Sequence, residues 1–239
     1  MSDAAASAAV AADVVALTVA DVGPQDAGGR GQLQVLLTRR RHDPFAGEWS
    51  LPGVLVRPDE DLEAAARRAL GERAAVVVAP AEPGSPAARS VRHLEQLATF
   101  GSPGRDPRGR IVSASYLALM PSPTPVSGDA VWRSAVDAPP LAFDHSEILS
   151  SAVDRLRGKL SYSNVAYGLL EDTFTLSELQ EVYETVLDRD LDKRNFRKKV
   201  LSLGMLVEGP GQRRGPHRPA QLYSFARGDL VLLDDVIIT

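Results

Sequence analysis

The chain opens on short apolar runs separated by turn-forming residues and closes on longer runs with helical spacing. Val14–Val19, Leu33–Thr38, Ala75–Ala79, Leu94–Phe100 and Ile111–Leu119 are bounded by Gly, Pro or charged residues and predict strands. One helix interrupts them over Leu62–Arg73, with Asp59 or Asp61 placed to cap it and Ala and Leu to favour it. The Pro- and Gly-rich stretches Pro80–Pro86, Gly101–Gly109 and Pro121–Gly128 predict loops. After Pro140 the strand character fades. Ser146–Lys159, Ser163–Leu170, Leu176–Leu187 and Lys193–Leu203 then predict helices. Strands first and helices later is α+β order. A domain boundary is expected near Asp144–Leu160, with a connecting helix across it. We divide the chain into a disordered tail over 1–12, a first domain over 13–150 and a second over 151–239.

The second domain carries the sharper pattern. Thr175 followed by Glu178 is a capping box that starts a helix at Leu176, and Leu176, Leu179, Val182, Tyr183 and Val186 give that helix a buried stripe. Asp188–Leu191 makes a turn, and Asp192 caps a second helix that Gly204 ends. At 100° per residue Phe196, Val200 and Leu203 fall on one narrow arc. Lys193, Arg194, Arg197 and Lys198 fall on another. Met205–Glu208 and Gln221–Phe225 then form a hairpin whose tip carries Arg213, Arg214, His217 and Arg218. Helix, turn, basic helix and basic hairpin in that order describe a winged helix-turn-helix.

Charge sharpens this reading. The net charge of −4 alone argues against a polyanion partner. Between Asp192 and Arg218, however, eight Lys and Arg stand against two acids, +6 locally and −10 for the remainder. A helix in the major groove presents its N-terminal residues to base edges. Lys193, Arg194, Asn195, Arg197 and Lys198 occupy that place here. Arginine reads guanine bidentately at roughly 1–3 kcal/mol per pair, while Arg213, Arg214, His217 and Arg218 in the wing would neutralise phosphates. A solvated basic face that binds nothing is the alternative for the helix taken alone, and simple exposure is the alternative for His217.

Other classes recede. There is no cysteine, which removes disulfides and thiolate metal sites and fits a reducing cytoplasm. No stretch reaches the roughly 18 apolar residues of a membrane span, and the alanine-rich Ala4–Ala12 lacks the basic start of a signal peptide. A cytoplasmic protein with no membrane partner is expected.

Within the first domain, Trp49-Ser50-Leu51-Pro52-Gly53 followed by Glu60, Arg68, Leu70, Glu72 and Val76 resembles the Nudix box. In that family several glutamates of a loop–helix–loop hold Mg²⁺ against the diphosphate of a nucleotide. Here Val54 stands at the first glycine of the pattern, Ala69 at the first helical glutamate, Arg73 at the last glutamate and Ala75 at the final glycine. Positions 69, 72 and 73 share a helix face, so three carboxylates are replaced by a methyl, a carboxylate and a guanidinium. We therefore expect no catalytic residue, no tightly bound Mg²⁺ and weak or absent hydrolysis. Glu72 is either a remnant metal ligand or a surface partner of Arg68.

Further stretches narrow the resemblance. Leu94–Gly101 and Arg105–Arg110 look like the ADP-ribose pyrophosphatase branch of Nudix proteins, although Ala98 stands where an aromatic is common. Leu141–His145, Phe174–Tyr183 and Leu191–Lys199 look like the Nudix-related transcriptional regulators of NAD metabolism, the NrtR family. The resemblance implies a Nudix-like α/β/α sandwich with a mixed sheet, joined to the winged helix-turn-helix. It implies a homodimeric repressor of NAD biosynthesis or salvage genes that binds an inverted-repeat operator in double-stranded DNA. It also implies modulation by ADP-ribose or another NAD-derived nucleotide. Arg39, Arg40, Arg41, Arg105 and Arg108 are candidates to meet that effector's diphosphate, with a solvated surface role as the alternative for each. Trp49 is expected to pack. The competing class is an active ADP-ribose pyrophosphatase with an accessory DNA-binding domain.

Overall fold

The computed structural model describes residues 7–20, 31–76, 91–123, 126, 128–213, 219–233 and 235–237. Its centre is β1 (Ala9–Ala20), whose side chains alternate between two buried faces. Ala12, Val14 and Ala16 point to one core, beneath helix α1 (Leu62–Ala74). Val15, Leu17 and Val19 point to the other, beneath helix α2 (His145–Tyr162). A strand buried on both faces reads as one continuous apolar run.

The neighbours of β1 are set by register. β6 (Ile111–Leu119) runs parallel to it from Ala9↔Ile111 to Leu17↔Leu119. On the other side β4 (Gly53–Leu55) pairs with its first half and β2 (Gln32–Arg39) with its second, both antiparallel. β2 also holds β3 (Trp49–Ser50) and β7 (Ala130–Ser134), and β5 (His93–Phe100) closes the far edge on β6. The mixed sheet between α1 and α2 is the expected sandwich.

Three expectations need correction. Ala9–Ala12, assigned to a disordered tail, belong to β1, because β6 supplies a parallel partner a hundred residues away. Residues 1–6 lie outside the described residues. The strand expected at Ala75–Ala79 does not begin: Ala75 is the left-handed C-cap of α1 (φ 55°), with its N–H bonded to Gly71 and Leu70 carbonyls, and Val76 is buried outside any strand. Residues 77–79 lie outside the described residues. The helix expected at Ser163–Leu170 is a single 3-10 segment, Val165–Leu169. Asn164 stops α2 from continuing, since its amide donates to Asp229 O (2.9 Å) and its carbonyl accepts from Val231 N (2.7 Å).

The second unit follows the expected order. β8 (Phe174–Thr175) leads into α3 (Leu176–Leu187), a turn, and α4 (Lys193–Ser202). The hairpin β9 (Leu206–Arg213) and β10 (Ala220–Phe225) completes a sheet in the order β8-β10-β9. The capping box is formed: Thr175 Oγ1 accepts from Glu178 N (3.2 Å) and Thr175 N donates to Glu178 Oε2 (2.7 Å). Leu179, Val182, Tyr183 and Val186 are fully buried, and Tyr183 meets Phe196 of α4 edge-on at 5.2 Å.

The two units share one core. Leu17, Leu119, Ile148, Leu156, Val182 and Val200 belong to a single apolar cluster. α2 crosses the expected boundary at 150/151 and packs on both sides of it. Among the described residues no helix is long and apolar enough to cross a membrane.

Candidate functional site

A cleft of about 550 Å³ opens where the C-terminal end of β2, the β3–β4 segment, the end of α1 and the Arg105–Arg108 turn converge. That volume is within the roughly 300–1,000 Å³ of small-molecule sites. Its floor is a buried polar network. Asp13 comes from β1, on the face of Val15 and Leu17, and its carboxylate accepts from Ser113 Oγ at 2.6 Å. The same carboxylate lies so close to Gly53 that a Cβ there would sit 2.0 Å from Asp13 Oδ1, which requires glycine at 53. Arg105 reaches Asp13 at 3.5 Å and forks onto both oxygens of Asp144 at 2.6 and 2.7 Å. Asp144 is the N-cap residue of α2.

His145 completes the floor. Its Nδ1 accepts from Leu51 N at 3.0 Å, which leaves the proton on Nε2, 3.7 Å from Asp13 Oδ1. Burial pushes its pKa below 6.5, with Arg105 and Arg40 adding to the effect and Asp13 and Asp144 opposing it. Phe143, just before, has a positive φ of 59° and lies between two guanidiniums, Arg40 at 4.5 Å and Arg108 at 5.6 Å. A strained aromatic held between cations at a cleft mouth is a feature that function commonly explains.

The box residues on α1 are engaged with one another and with the backbone. Ala69 is fully buried in the α1 core, so of positions 69, 72 and 73 the last two line the cleft, together with Arg68 and Ala75. Glu72 is held by Arg57 and Arg68, each at 3.3 Å. It is the surface ion-pair partner of Arg68. Glu60 is bonded by Arg68 through Nε (2.9 Å) and Nη2, which lowers its pKa to about 2. Arg73 extends along the cleft wall and donates from Nε to Gly53 O at 3.2 Å. Among the described residues no group of three or more His, Asp or Glu is placed to hold an ion. The donor set, two engaged carboxylates beside a guanidinium, does not fit Mg²⁺.

The expected effector arginines all reach this cleft, with different freedom. Arg105 has a buried guanidinium bonded to Asp144 and Asp13, and it anchors the start of α2. Arg108 carries its own partner in Asp106 (2.5 and 2.9 Å), and Arg41 carries Asp129. Arg39 donates to Gly47 O and leans over the Trp49 ring at 5.8 Å, so Trp49 packs under cations. Arg40 bonds only backbone carbonyls among the described residues, at Pro44 and His42. Arg73, Phe143, Asp13 and His145 were not legible as cleft residues. Arg73 was read only as a lost carboxylate, and the other three converge through tertiary contacts.

The reader is likewise sorted by the structure. Lys193, Arg194, Asn195 and Lys198 are exposed on α4, behind an N-cap in which Asp192 accepts from Asn195 N at 2.8 Å. Arg197 is partly buried and donates to Ser177 Oγ at 2.9 Å, so its fork joins α4 to α3 rather than projecting with the others. Lys199 pairs with Asp235. Arg213 binds Glu178 and Thr173 O (3.1 Å), fastening the hairpin to the start of α3. Arg214, His217 and Arg218 lie outside the described residues.

Known proteins match both halves. A NUDIX domain model matches residues 18–150, and the NrtR DNA-binding winged helix domain matches 166–225. The chain is 36% identical to the ADPR responsive transcriptional repressor NtrR of Acinetobacter baylyi, over 84% of this chain and 78% of that protein. Shewanella oneidensis NrtR, solved with a 27mer DNA, is 33% identical with a TM-score of 0.73, covering 90% of this chain and 93% of that one. The NUDIX domain of the same Shewanella protein, solved with ADP ribose, is 34% identical with a TM-score of 0.50, covering 65% of this chain and 93% of that one. The chain belongs to the NrtR family, in which a Nudix domain is joined to a winged-helix DNA-binding domain.

Proposed function

We propose that this chain is a transcriptional repressor of NAD biosynthesis or salvage genes, reading an inverted-repeat operator as a homodimer and governed by ADP-ribose or a related NAD-derived nucleotide. It acts in the cytoplasm and does not hydrolyse its effector. The observation that carries the reading is the exposed polar face over the first two turns of α4. Lys193, Arg194, Asn195 and Lys198 stand exposed beyond a side-chain cap, in the geometry of a major-groove helix. The named relatives support it, one as an ADPR responsive repressor and the other through its DNA and ADP ribose complexes. One α4 covers one half-site, so two-fold symmetry in the protein suits a palindrome.

The loss of hydrolysis follows from α1. Ala69 and Arg73 remove the carboxylates that would gather a metal, and Arg68 and Arg57 hold Glu60 and Glu72. Regulation runs through α2. Its N-terminus is tied to the cleft by Arg105 and Asp144, and farther along Arg157 Nε donates to Val186 O of α3 at 2.9 Å. A ligand shifts operator binding only by its differential affinity for two arrangements of these elements.

Gel-shift titration on an inverted-repeat operator, with and without ADP-ribose and NAD, tests both roles. Specific retention over random DNA at moderate salt, altered by one of these nucleotides, is expected. Equal retention of random DNA sinks the reader. Operator affinity indifferent to every NAD-related nucleotide sinks the sensor.

A further inference from the structure

We infer that Arg73 and Arg40 grip the effector's diphosphate directly, on the cleft wall where a hydrolase of this fold would place a metal ion, so that effector binding needs no divalent cation. The inference rests on the reading of the cleft as a nucleotide site.

Most of the cleft cations are already paired. Arg105 is bound by Asp144, Arg108 by Asp106, Arg41 by Asp129 and Arg68 by Glu60. Each of these pairs is internally balanced. Arg39 is turned onto Trp49. Arg40 and Arg73 differ. Among the described residues neither has a carboxylate within ion-pair distance, and their bonds go to the backbone carbonyls of Pro44, His42 and Gly53. Arg40 is moreover packed beside other cations: burial first, then the charges of Arg108 and Arg73, lower its proton affinity, with Asp106 and Asp13 opposing from a distance. Two neighbouring guanidiniums with no carboxylate bonded to either keep donors to offer an anion that enters the cleft.

The geometry of the anion follows from the donors. Arg73 spends Nε on Gly53 O, and Arg40 spends Nε and Nη2 on carbonyls, which pins each side chain at the cleft lining with Nη donors to spare. Guanidinium forks match the paired oxygens of a phosphoryl group, and two of them match a diphosphate. The ring of Phe143 beneath Arg40 holds that side chain from the other side. Arg73 stands at a position where the box pattern has a glutamate. The replacement therefore does more than delete a metal ligand. It puts a fixed positive charge where the metal's charge would have been, and it does so without a Lewis acid or activated water. A diphosphate held this way is bound and not cleaved, as a sensor requires.

Isothermal titration of the full chain with ADP-ribose tests this, in buffer with EDTA and in buffer with millimolar MgCl2. Dissociation constants agreeing within about twofold are expected. Arg73→Ala should weaken ADP-ribose by about tenfold or more in both buffers, the scale of one charge-assisted contact. Arg73→Lys, which keeps the charge but not the fork, should fall between. Arg73 is exposed, so thermal melting of the variants should match the parent. Binding that appears only with MgCl2, or Arg73→Ala binding as tightly as the parent, overturns the inference and leaves the sensor role standing. No binding of ADP-ribose or NAD in either buffer overturns both.

Discussion

Arg194 and Arg197 are three residues apart on one basic helix, yet they meet different surroundings. Arg194 is exposed, while Arg197 bonds Ser177 Oγ and is partly buried between α3 and α4. Arg194→Ala should cost about 1–3 kcal/mol of operator affinity and relax preference at one base pair, with melting unchanged. Arg197→Ala should instead lower thermal stability. Anisotropy titrations paired with calorimetry separate the two, and equal melting temperatures for the variants would contradict the assignment.

His145 makes a second residue-scale prediction. Its burial holds it neutral in the fold, so the unfolded chain takes up a proton near pH 6.5 that the folded chain resists. Its contribution is complete above that pH and is lost as the pH falls through it, by at most about 1.4 kcal/mol per pH unit for one proton. His145→Asn keeps an acceptor for Leu51 N and removes the titration. Urea unfolding of this variant between pH 7 and 5.5 should show a shallower loss than the parent. Parallel slopes would show that His145 does not titrate as placed. Glu95 and Asp106, held low by their cationic partners, act in the same direction at lower pH.

At the scale of elements, local signals were legible wherever a local bond decides the structure. Asp61 caps α1 through Ala64 N at 2.7 Å, Thr175 caps α3 and Asp192 caps α4, all from positions that the residue types mark. Strands β3, β4 and β7 have two to five residues and little pattern, and they exist because β1 and β2 offer edges. The segment Ser163–Leu170 departs from the expected helix because Asn164 answers to Asp229 and Val231, more than sixty residues on. In the cleft, arginines were legible as cations, but whether each is free depends on carboxylates distant in sequence. Asp144 lies 39 residues from Arg105 and Asp129 lies 88 from Arg41.

One element carries an avoidable cost. Ala75 occupies the left-handed C-cap of α1, where the box pattern has glycine and where a Cβ is unfavourable. Ala75→Gly should stabilise the chain by about 0.5–1 kcal/mol, read by denaturant midpoint without change in slope. A lower midpoint would mean that the greater freedom of the unfolded glycine outweighs the relief.

At the scale of the molecule, the question is how a cleft at one end of the sheet reaches a helix docked at the other. β2 touches both. Its C-terminal end, Thr38 and Arg39, lines the cleft. Just ahead of its first residue, Gly31 N donates to Glu181 Oε1 (3.1 Å) and Gly31 O accepts from Thr185 Oγ1 (3.2 Å), both on α3. α2 is the second strut. Eighteen residues make a rod about 27 Å long, from Asp144 in the grip of Arg105 toward the reader, where Arg157 satisfies a carbonyl in the last turn of α3. Two stiff elements joined to one helix can transmit a change in the cleft without any loop between the units changing fold.

This arrangement separates coupling from binding. Arg157→Met keeps most of the apolar stem and removes the donor to Val186 O, at a residue that belongs neither to α4 nor to the cleft lining. Operator affinity without effector should stay within about threefold of the parent, and ADP-ribose affinity should be unchanged. The factor by which ADP-ribose alters operator affinity should shrink by about threefold or more, a share of the roughly 1–3 kcal/mol typical of such coupling. Anisotropy titrations of labelled operator across a series of ADP-ribose concentrations measure this factor. Linkage requires the same reduction when operator is varied and ADP-ribose binding is read. A coupling factor equal to the parent's would remove α2 as the strut and leave β2, through Gly31, Glu181 and Thr185, as the path to examine.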